Sequence, residues 1–238
     1  QQHGFRLQVE DKWGDMADNP VIGFIGLGVM GEPICRNIAA KSGHRVIAFD
    51  LSPAPLKRLK ADGVEASTDV ASLVAAADIV IMSLPGGPEV ETVIAGPGGI
   101  AEQARGGQIV VDLSTTPVEL TRQLAGALEK SGVRFADAPV ARTRQAAIDG
   151  TLSIMVGGDA GLFETLRPIL AAAATEITHC GTVGCGQAVK VLNNMVLFQT
   201  VVALAEALAI GTKAGVDGQT LFETLSRGSA DSFALRNH

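Results

Sequence analysis

The sequence predicts an α/β protein in which a doubly wound sheet is followed by an all-helical C-terminal domain. Three observations lead to this prediction. Short apolar runs alternate with segments of helical length over residues 21–178. The run 79–84 is apolar almost without interruption, as in a parallel strand covered on both faces. The alternation ends near residue 181, and only helical patterns follow.

The elements are predicted from apolar runs and the turn and capping residues between them. The predicted strands cover 21–25, 45–49, a short segment near 64, 79–84, 108–113, 133–137, 152–156 and 176–178. The predicted helices cover about 29–41, 54–61, 69–75, 117–130, 141–149, 161–173, 186–214 and 215–225. Asp69 is predicted to cap the third helix, and residues 114–116 to cap the helix that Pro117 opens. The segments 85–88 and 96–99 are predicted loops.

The chain is therefore divided into three parts. Residues 1–19 are polar and lack periodicity, and we expect a disordered tail there. Residues 20–181 form the sheet domain, and residues 182–238 form an incomplete helical domain. Its most apolar run, 196–210, is 15 residues long and contains Gln199 and Glu206, which is too short and too polar for a membrane span. We interpret it as a helix buried by a missing segment of chain or by a second subunit.

Composition limits the function. Hydrophobic residues make up 47% of the 238 positions, so a large core can form. The formal net charge of −6 argues against nucleic acid or an anionic membrane surface as a partner. Three cysteines, Cys35, Cys180 and Cys185, lack the number and spacing of a disulfide framework or a zinc site. We therefore expect a cytoplasmic protein with no metal.

A glycine-rich turn joins the first predicted strand to the first helix. Gly26, Gly28 and Gly31 have the spacing G-x-G-x-x-G. In a dinucleotide site the first glycine allows the turn, the second admits the pyrophosphate and the third lets helix and strand pack closely. Asp50 closes the second strand, 19 residues after Gly31, where a carboxylate can accept hydrogen bonds from a ribose. This pattern predicts a Rossmann-type site that prefers NAD to NADP, because a 2′-phosphate would meet the carboxylate.

Loops after parallel strands gather at the carboxyl edge of the sheet. Ser114 and Thr115 follow the fifth strand, near the expected nicotinamide position, and can serve as a helix cap, as ligand contacts, or as both. The predicted cofactor contacts are Gly26, Gly28, Val29, Met30, Gly31, Asp50, Leu84 and Thr115. Ser114 is assigned to the substrate.

Polar residues interrupt the apolar C-terminal helix near its start. Lys190 and Asn194 are four residues apart and share one helix face, with Asn193 beside them. Such groups are costly in an apolar helix unless they meet a cleft or a partner, the alternative being a solvated stripe. A lysine facing a nicotinamide can donate a proton to a carbonyl oxygen as hydride arrives, or accept one in reverse. Lys190 is therefore the predicted catalytic residue, and Asn193 and Asn194 are predicted substrate contacts.

Arg142 follows a predicted strand end. In an acidic protein, an arginine at that position can bind an anionic group of a substrate. The alternative is an ordinary surface arginine in a short helix. Thr143 is assigned to the substrate together with Arg142.

Five motifs occur in order and carry a family resemblance. They are Gly23-Phe24-Ile25-Gly26-Leu27-Gly28-Val29-Met30-Gly31-Glu32-Pro33, Asp112-Leu113-Ser114-Thr115, Asp137-Ala138-Pro139-Val140, Gly150-Thr151-Leu152 and the stretch from Gly184 to Asn194. Together they resemble the β-hydroxyacid dehydrogenases, such as the 3-hydroxyisobutyrate dehydrogenases and tartronate semialdehyde reductases. The resemblance implies a Rossmann-type domain, NAD(P), Lys190 as the catalytic residue, Asn194 beside it, and homo-oligomers, dimers or tetramers, formed through the helical domain.

One segment departs from the usual family pattern. Members usually read Pro-Val-Ser-Gly-Gly, where serine and backbone N–H groups bind the substrate carboxylate, whereas this chain reads Pro139-Val140-Ala141-Arg142-Thr143. The variant is similar to that of the sulfolactaldehyde reductases, in which the arginine binds a sulfonate. Leu197 stands where that branch has a serine and where decarboxylating relatives have a glutamate, so decarboxylation is not expected.

The combined prediction is an oxidoreductase with Lys190 as proton donor and acceptor. It would transfer hydride between NAD(H) and a short 3-hydroxy acid or semialdehyde, or a sulfonate or phosphonate analogue. A sulfonate, a phosphonate or a second carboxylate would each suit Arg142. The alternative from another class is a non-catalytic dinucleotide-binding sensor or structural subunit.

Overall fold

The computed structural model describes residues 19–237, so all of the predicted tail 1–19 except its last residue lies outside the described part of the chain. The described residues form two compact units that divide after Gln187. The sequence places this division earlier, near residue 181, where the last strand ends. Each unit is considered by itself below.

The first unit is built on one nine-stranded sheet. The strands are β1 (Ile22–Ile25), β2 (Val46–Phe49), β3 (Glu65–Ala66), β4 (Ile79–Met82), β5 (Ile109–Asp112), β6 (Arg134–Asp137), β7 (Val140–Ala141), β8 (Leu152–Gly157) and β9 (Ala174–Gly181). Their order is β3-β2-β1-β4-β5-β6-β8-β7, with β9 paired to β8. All pairs from β3 to β6 are parallel, whereas β8 runs antiparallel to β6. The predicted doubly wound sheet is confirmed, with its switch point between β1 and β4.

Nine α-helices lie in the first unit or begin there, and α10 and α11 follow in the second. The helices are α1 (Gly31–Lys41), α2 (Pro53–Leu59), α3 (Val70–Ala76), α4 (Gly87–Ala95), α5 (Ile100–Gln103), α6 (Val118–Glu129), α7 (Arg144–Asp149), α8 (Ala160–Leu170), α9 (Cys185–Lys213), α10 (Gly218–Ser226) and α11 (Phe233–Asn237), and α9 spans the division. The predicted cap of α3 is confirmed, because the Asp69 carboxylate accepts a hydrogen bond from Ser72 N at 2.7 Å.

Side chains from both faces of the sheet are buried. Alternate residues of β1 and β4 point to opposite sides: Phe24 and Ile79 belong to one core cluster, whereas Ile25 and Val80 belong to the other. All four residues of β4 are buried, which explains why this strand is continuously apolar.

The structure corrects two local predictions. Helices α4 and α5 were missed because the segment 85–88 looks like a loop, yet Gly87 and Pro88 open α4, whose Val90 and Ile94 are buried one turn apart. Proline is compatible with the first turn of a helix because no intrahelical bond requires its N–H. The predicted helix 141–149 is divided between β7 and the shorter α7.

In the second unit, α9 exposes an apolar surface, as expected for a helix whose cover comes from a further segment of chain or from a second subunit. The exposed side chains include Val191, Leu192, Met195, Val196, Phe198, Val202 and Ile210. The helix has 29 residues and a mean hydropathy of 1.8 over 18 of them, so by length and composition alone it could span a membrane. The sequence-based argument against a membrane span therefore used too short a segment, because the helix extends well beyond the 15-residue apolar run. Within the described residues these side chains remain about half exposed or more, and neighbouring exposed apolar side chains of this kind indicate an interaction surface.

Candidate active site

The glycine-rich turn lies between β1 and α1, at the switch point of the sheet. Gly26 has φ +90°, and a Cβ added there would lie 2.3 Å from the Ser83 carbonyl oxygen. A Cβ on Gly31 would lie 2.0 Å from the Gly26 carbonyl oxygen. A Cβ on Gly28 would meet no described heavy atom within 4 Å. Two of the glycines are therefore required by the fold, and Gly28 leaves open space in front of the turn.

These features fit a bound pyrophosphate. Met30 occupies the N-cap position of α1, and no side chain among the described residues caps this helix. The first-turn N–H groups of such a helix favour an anion. Val29 is 67% exposed beside the open space at Gly28. The turn therefore has both the room and the backbone donors that a dinucleotide needs.

Asp50 is half-buried beside the same turn. Its Oδ2 accepts a hydrogen bond from Leu27 N at 2.6 Å, and its Oδ1 accepts one from Ser52 N at 2.7 Å. Arg58, the nearby cation on α2, donates to both carboxylate oxygens of Glu32, at 2.8 and 2.6 Å. Hydrogen bonds from Arg58 lower the pKa of Glu32. A carboxylate can accept more than these two hydrogen bonds, so Asp50 retains capacity for a ligand, while Arg58 is paired with Glu32.

The loops after β4 and β5 are tied together by Ser114. Its Oγ accepts a hydrogen bond from Leu84 N at 2.9 Å, and the residue is buried. Thr116 Oγ1 donates to Asp112 Oδ2 at 2.7 Å. Helix α6 starts without a side-chain cap, so the predicted capping role of residues 114–116 is wrong. Thr115 remains exposed at this edge.

The first turn of α9 is bonded to the ends of β5 and β6. The Asp137 carboxylate accepts hydrogen bonds from Gly184 N at 2.7 Å and Gln187 N at 2.8 Å. Gln187 Oε1 accepts from Thr116 N at 3.1 Å, and its Nε2 donates to Ser114 O at 2.8 Å. Burial raises the pKa of Asp137. No role was predicted for Asp137 or Gln187, although an aspartate ending a buried strand was a usable signal.

Lys190 and Asn194 lie on α9 in the second unit, and both are half-buried. Partial burial lowers the pKa of Lys190. Asn193 is exposed, and its Nδ2 donates to Asn194 Oδ1 at 3.3 Å. Their contact with substrate remains a prediction.

Arg142 lies in an exposed turn after β7. Its φ is +85°, and it is the one non-glycine residue with positive φ in the described part of the chain. Its Nη1 donates to the Thr151 carbonyl oxygen and to Thr175 Oγ1, the latter at 3.0 Å. Thr143 caps α7 by accepting from Ala146 N at 3.4 Å. The structure thus places the two predicted substrate residues side by side in one turn, with part of the arginine engaged by neighbouring strands.

The fold and the site together define a dinucleotide-binding protein of the Rossmann class. The defining features are the glycine-rich turn at the switch point, the open space at Gly28 and the carboxylate of Asp50 directly after β2. Two family models match the chain. One is described as the NAD binding domain of 6-phosphogluconate dehydrogenase and matches residues 21–181. The other is described as the NAD-binding domain of NADP-dependent 3-hydroxyisobutyrate dehydrogenase and matches residues 184–238.

Individual relatives agree with these matches. The chain is 39% identical to 2-(hydroxymethyl)glutarate dehydrogenase of Eubacterium barkeri, over 90% of this chain and 71% of the relative. It is 36% identical to NAD-dependent L-serine dehydrogenase of Pseudomonas aeruginosa, over 90% of this chain and 72% of the relative. The solved structure of Mycobacterium tuberculosis 3-hydroxyisobutyrate dehydrogenase with L-serine superimposes with a TM-score of 0.85 and 36% identity, covering 92% of this chain and 74% of that one.

The chain belongs to the β-hydroxyacid dehydrogenase family, so the resemblance found in the sequence is confirmed. It is an oxidoreductase that acts on a CH–OH group with NAD(P). This class disfavours the alternative of a non-catalytic sensor. Among the described residues, no group of His, Cys, Asp and Glu side chains is arranged to hold a metal ion.

Proposed function

We propose that this enzyme interconverts a short 3-hydroxy acid carrying a second anionic group and its semialdehyde, with Lys190 as proton donor and acceptor. The named substrates of the three relatives share a hydroxyl two carbons from a carboxyl carbon. The proposal rests on one observation. The first turn of α9, which directly precedes Lys190, is hydrogen-bonded to the end of β6 and to the loop after β5. A carboxylate, sulfonate or phosphonate is the proposed second group.

The glycine turn would hold the cofactor. The N–H groups at the start of α1 would bind the pyrophosphate next to Gly28, and Asp50 would accept hydrogen bonds from the adenosine ribose. Leu84 and Thr115 would contact the nicotinamide end. When bound, the nicotinamide supplies or accepts the hydride. Asp50 disfavours a 2′-phosphate, and Arg58 is neutralised by Glu32, so NAD is the proposed physiological cofactor.

Lys190 would handle the proton. In reduction, its ammonium donates a proton to the carbonyl oxygen as negative charge develops there. In oxidation, the neutral amine accepts the hydroxyl proton. A lowered pKa helps both directions, because it brings the amine closer to the working pH. The Asn194 amide on the same face and Asn193 are the proposed substrate contacts beside it, together with Ser114.

Arg142 and Thr143 would bind the second anionic group. Arginine has five N–H donors, and the two hydrogen bonds of Arg142 both use Nη1. The positive φ of Arg142 also preserves the backbone shape of a turn where family members usually have glycine, and consecutive N–H groups in such a turn can bind an anion. This side chain is the proposed difference from relatives whose substrate has one anionic group.

The exposed apolar face of α9 is proposed to form a homo-oligomer, a dimer or a tetramer. Burying the side chains of Phe198, Val202 and their neighbours against a second copy would remove a large apolar area from water. Such an assembly would cover the helix without a membrane, and the cytoplasm is the proposed location of the enzyme.

The test is turnover of a panel of short aldehydes, followed by NADH absorbance. The panel contains three-carbon aldehydes with one carboxylate, sulfonate or phosphonate, and carboxylate aldehydes that carry one of these groups as a second anion. Lys190→Ala is expected to reduce turnover at least about 100-fold. Lys213→Ala, an exposed lysine at the end of the same helix, is the matched control. Near-full turnover of Lys190→Ala would contradict the proposed role. Tight NADH binding with no oxidation by any aldehyde would favour a sensor instead.

A further inference from the structure

The first turn of α9 is capped from a distant strand. Gly184 N and Gln187 N donate to the two oxygens of Asp137, which ends β6, 47 and 50 residues earlier in the chain. Helices α3, α8 and α10 are capped by the aspartate immediately before them. The cap of α9 is therefore a tertiary contact that ties the helix to the carboxyl edge of the sheet.

A second contact ties the same turn to the neighbouring strand. The Gln187 carboxamide accepts from Thr116 N and donates to Ser114 O, and so bridges two backbone groups of the loop after β5. Gln187 and Asp137 are both 0% exposed. Both the oxygen and the nitrogen of this buried amide are bonded to backbone groups. The amide therefore fixes the distance between the first turn of α9 and the loop after β5, and also the rotation of that turn about the helix axis.

Close packing leaves this turn little freedom. A Cβ on Gly186 would lie 2.4 Å from the Met155 carbonyl oxygen and 2.8 Å from Asp137 Oδ2. Asp112, also 0% exposed, holds Thr116 in the same network. Burying carboxylates is costly unless their hydrogen bonds are satisfied. Here Asp137 accepts its bonds from the start of α9, and Asp112 accepts its bonds from the loop to which Gln187 is bonded.

We propose that Asp137 and Gln187 are positioning residues for catalysis, which hold the first turn of α9 so that Lys190 meets the substrate carbonyl. The inference rests on the proposed role of Lys190. Lys190 follows Gln187 by three residues, about 4.5 Å along the helix axis, so a shift or rotation of the first turn is passed on to it. A displacement of about 1 Å at a reacting group can reduce a rate about 100-fold.

The test compares Asp137→Asn and Gln187→Met with the wild-type protein. Both variants retain side-chain size but lose hydrogen bonds to the first turn. We expect kcat to fall about tenfold or more, with the dissociation constant for NADH changed by less than about twofold, since the glycine turn lies on β1 and α1. Amide hydrogen exchange at residues 184 and 187 should accelerate. The pH dependence of kcat assigned to Lys190 should move as well, which a loss of folded protein alone would not cause.

Asp159→Ala is the matched control, because alanine removes a cap that asparagine would largely retain. Asp159 caps α8 by accepting from Leu162 N at 2.8 Å, so its loss also weakens a helix start. This variant should lower the melting temperature while leaving kcat and its pH dependence unchanged.

The outcomes separate the inference from the proposed function. If Lys190→Ala retains turnover, the proposed function fails. If Lys190→Ala loses turnover but Asp137→Asn and Gln187→Met retain wild-type kcat, the positioning role alone is overturned. It is also overturned if kcat, NADH affinity and folded fraction fall in the same proportion, because the network would then act only on stability.

Discussion

The carbonyl oxygen of Gly26 occupies the space where a side chain on residue 31 would begin, with 2.0 Å between that oxygen and an added Cβ. An added Cβ on Gly28 meets no described atom within 4 Å. The glycines of one motif therefore have separable roles. Gly31 permits α1 to approach the strand, whereas Gly28 keeps space for a ligand.

This difference predicts that alanine at position 28 affects cofactor binding, whereas alanine at position 31 affects stability. Gly28→Ala should fold normally and weaken NADH binding about tenfold, roughly 1.4 kcal/mol, because its methyl group enters the pyrophosphate space. Gly31→Ala should lower the free energy of unfolding by about 3 kcal/mol through overpacking. Fluorescence titration with NADH and thermal unfolding measure the two effects. Wild-type affinity in Gly28→Ala would place the pyrophosphate elsewhere.

Asp50→Asn is expected to relax the choice of cofactor. The amide keeps the size of the side chain and can still accept from Leu27 N, but it no longer repels a 2′-phosphate. The ratio of NADPH to NADH affinity should rise about tenfold, roughly 1.4 kcal/mol. Asp62→Asn is the control, since this exposed carboxylate pairs with Arg36. An unchanged ratio would show that Asp50 does not set the preference.

Two substitutions at Arg142 separate backbone shape from side-chain charge. Glycine accepts φ +85° freely and alanine does not, so Arg142→Ala should be about 1 kcal/mol less stable than Arg142→Gly. Both should lose any preference for substrates with a second anionic group, by about tenfold in kcat/KM relative to a monoanionic substrate. Chemical denaturation and steady-state kinetics provide the measurements. A preference that survives in Arg142→Gly would mean that backbone N–H groups alone bind the anion.

Paired substitutions on α9 test the proposed oligomer. Phe198 and Val202 are one helical turn apart, with 64% and 57% of their surface exposed. The double variant Phe198→Glu/Val202→Glu should sediment as a monomer if the wild-type protein sediments as a dimer or tetramer, because charges would be buried in the interface. Gln103→Glu adds a charge at an exposed position of α5, in the first unit, and is the control. Equal sedimentation of all three proteins would contradict an interface at this face.

Much of the fold could be predicted because local pattern and tertiary role agree. The apolar run of β4 is buried on both faces, and Asp69 caps α3 through a residue three positions away. Helix α4 was missed because Gly87 and Pro88 are read as loop formers, although both are compatible with a helix start. The exposure of α9 agrees with the expectation that its apolar surface is covered by a further segment of chain or by a second subunit, but hydrophobicity alone does not indicate which of the two it is.

The site was predictable only where its chemistry is local. The glycine turn lies within six residues, so its spacing alone indicates its role. The bond between Asp137 and Gln187 joins residues 50 positions apart, and that pairing depends on strand order. Ser114 was interpreted as a possible cap because its nearest sequence neighbour was a helix, but its partner is Leu84 on the adjacent loop.

The lowered pKa of Lys190 predicts a definite pH dependence. Burial shifts this pKa below the ordinary value of 10.5. Reduction requires the ammonium, so kcat for the aldehyde should fall as pH rises through the shifted pKa, up to tenfold per pH unit. Oxidation requires the neutral amine, so kcat for the hydroxy acid should rise over the same range. Lys190→Arg should remove both limbs, because arginine stays protonated.

The lowered pKa of Lys190 also predicts how the free energy of unfolding depends on pH. Between the folded pKa and 10.5, the unfolded chain binds more protons than the folded one, so the free energy of unfolding should increase with pH across that window. Lys190→Met should lack this increase and be more stable than the wild-type protein below the folded pKa. Chemical denaturation at several pH values tests this, with Lys213→Met as the control. An identical pH dependence in the wild-type protein and Lys190→Met would show that Lys190 retains an ordinary pKa, and the kinetic limbs would then belong to another group.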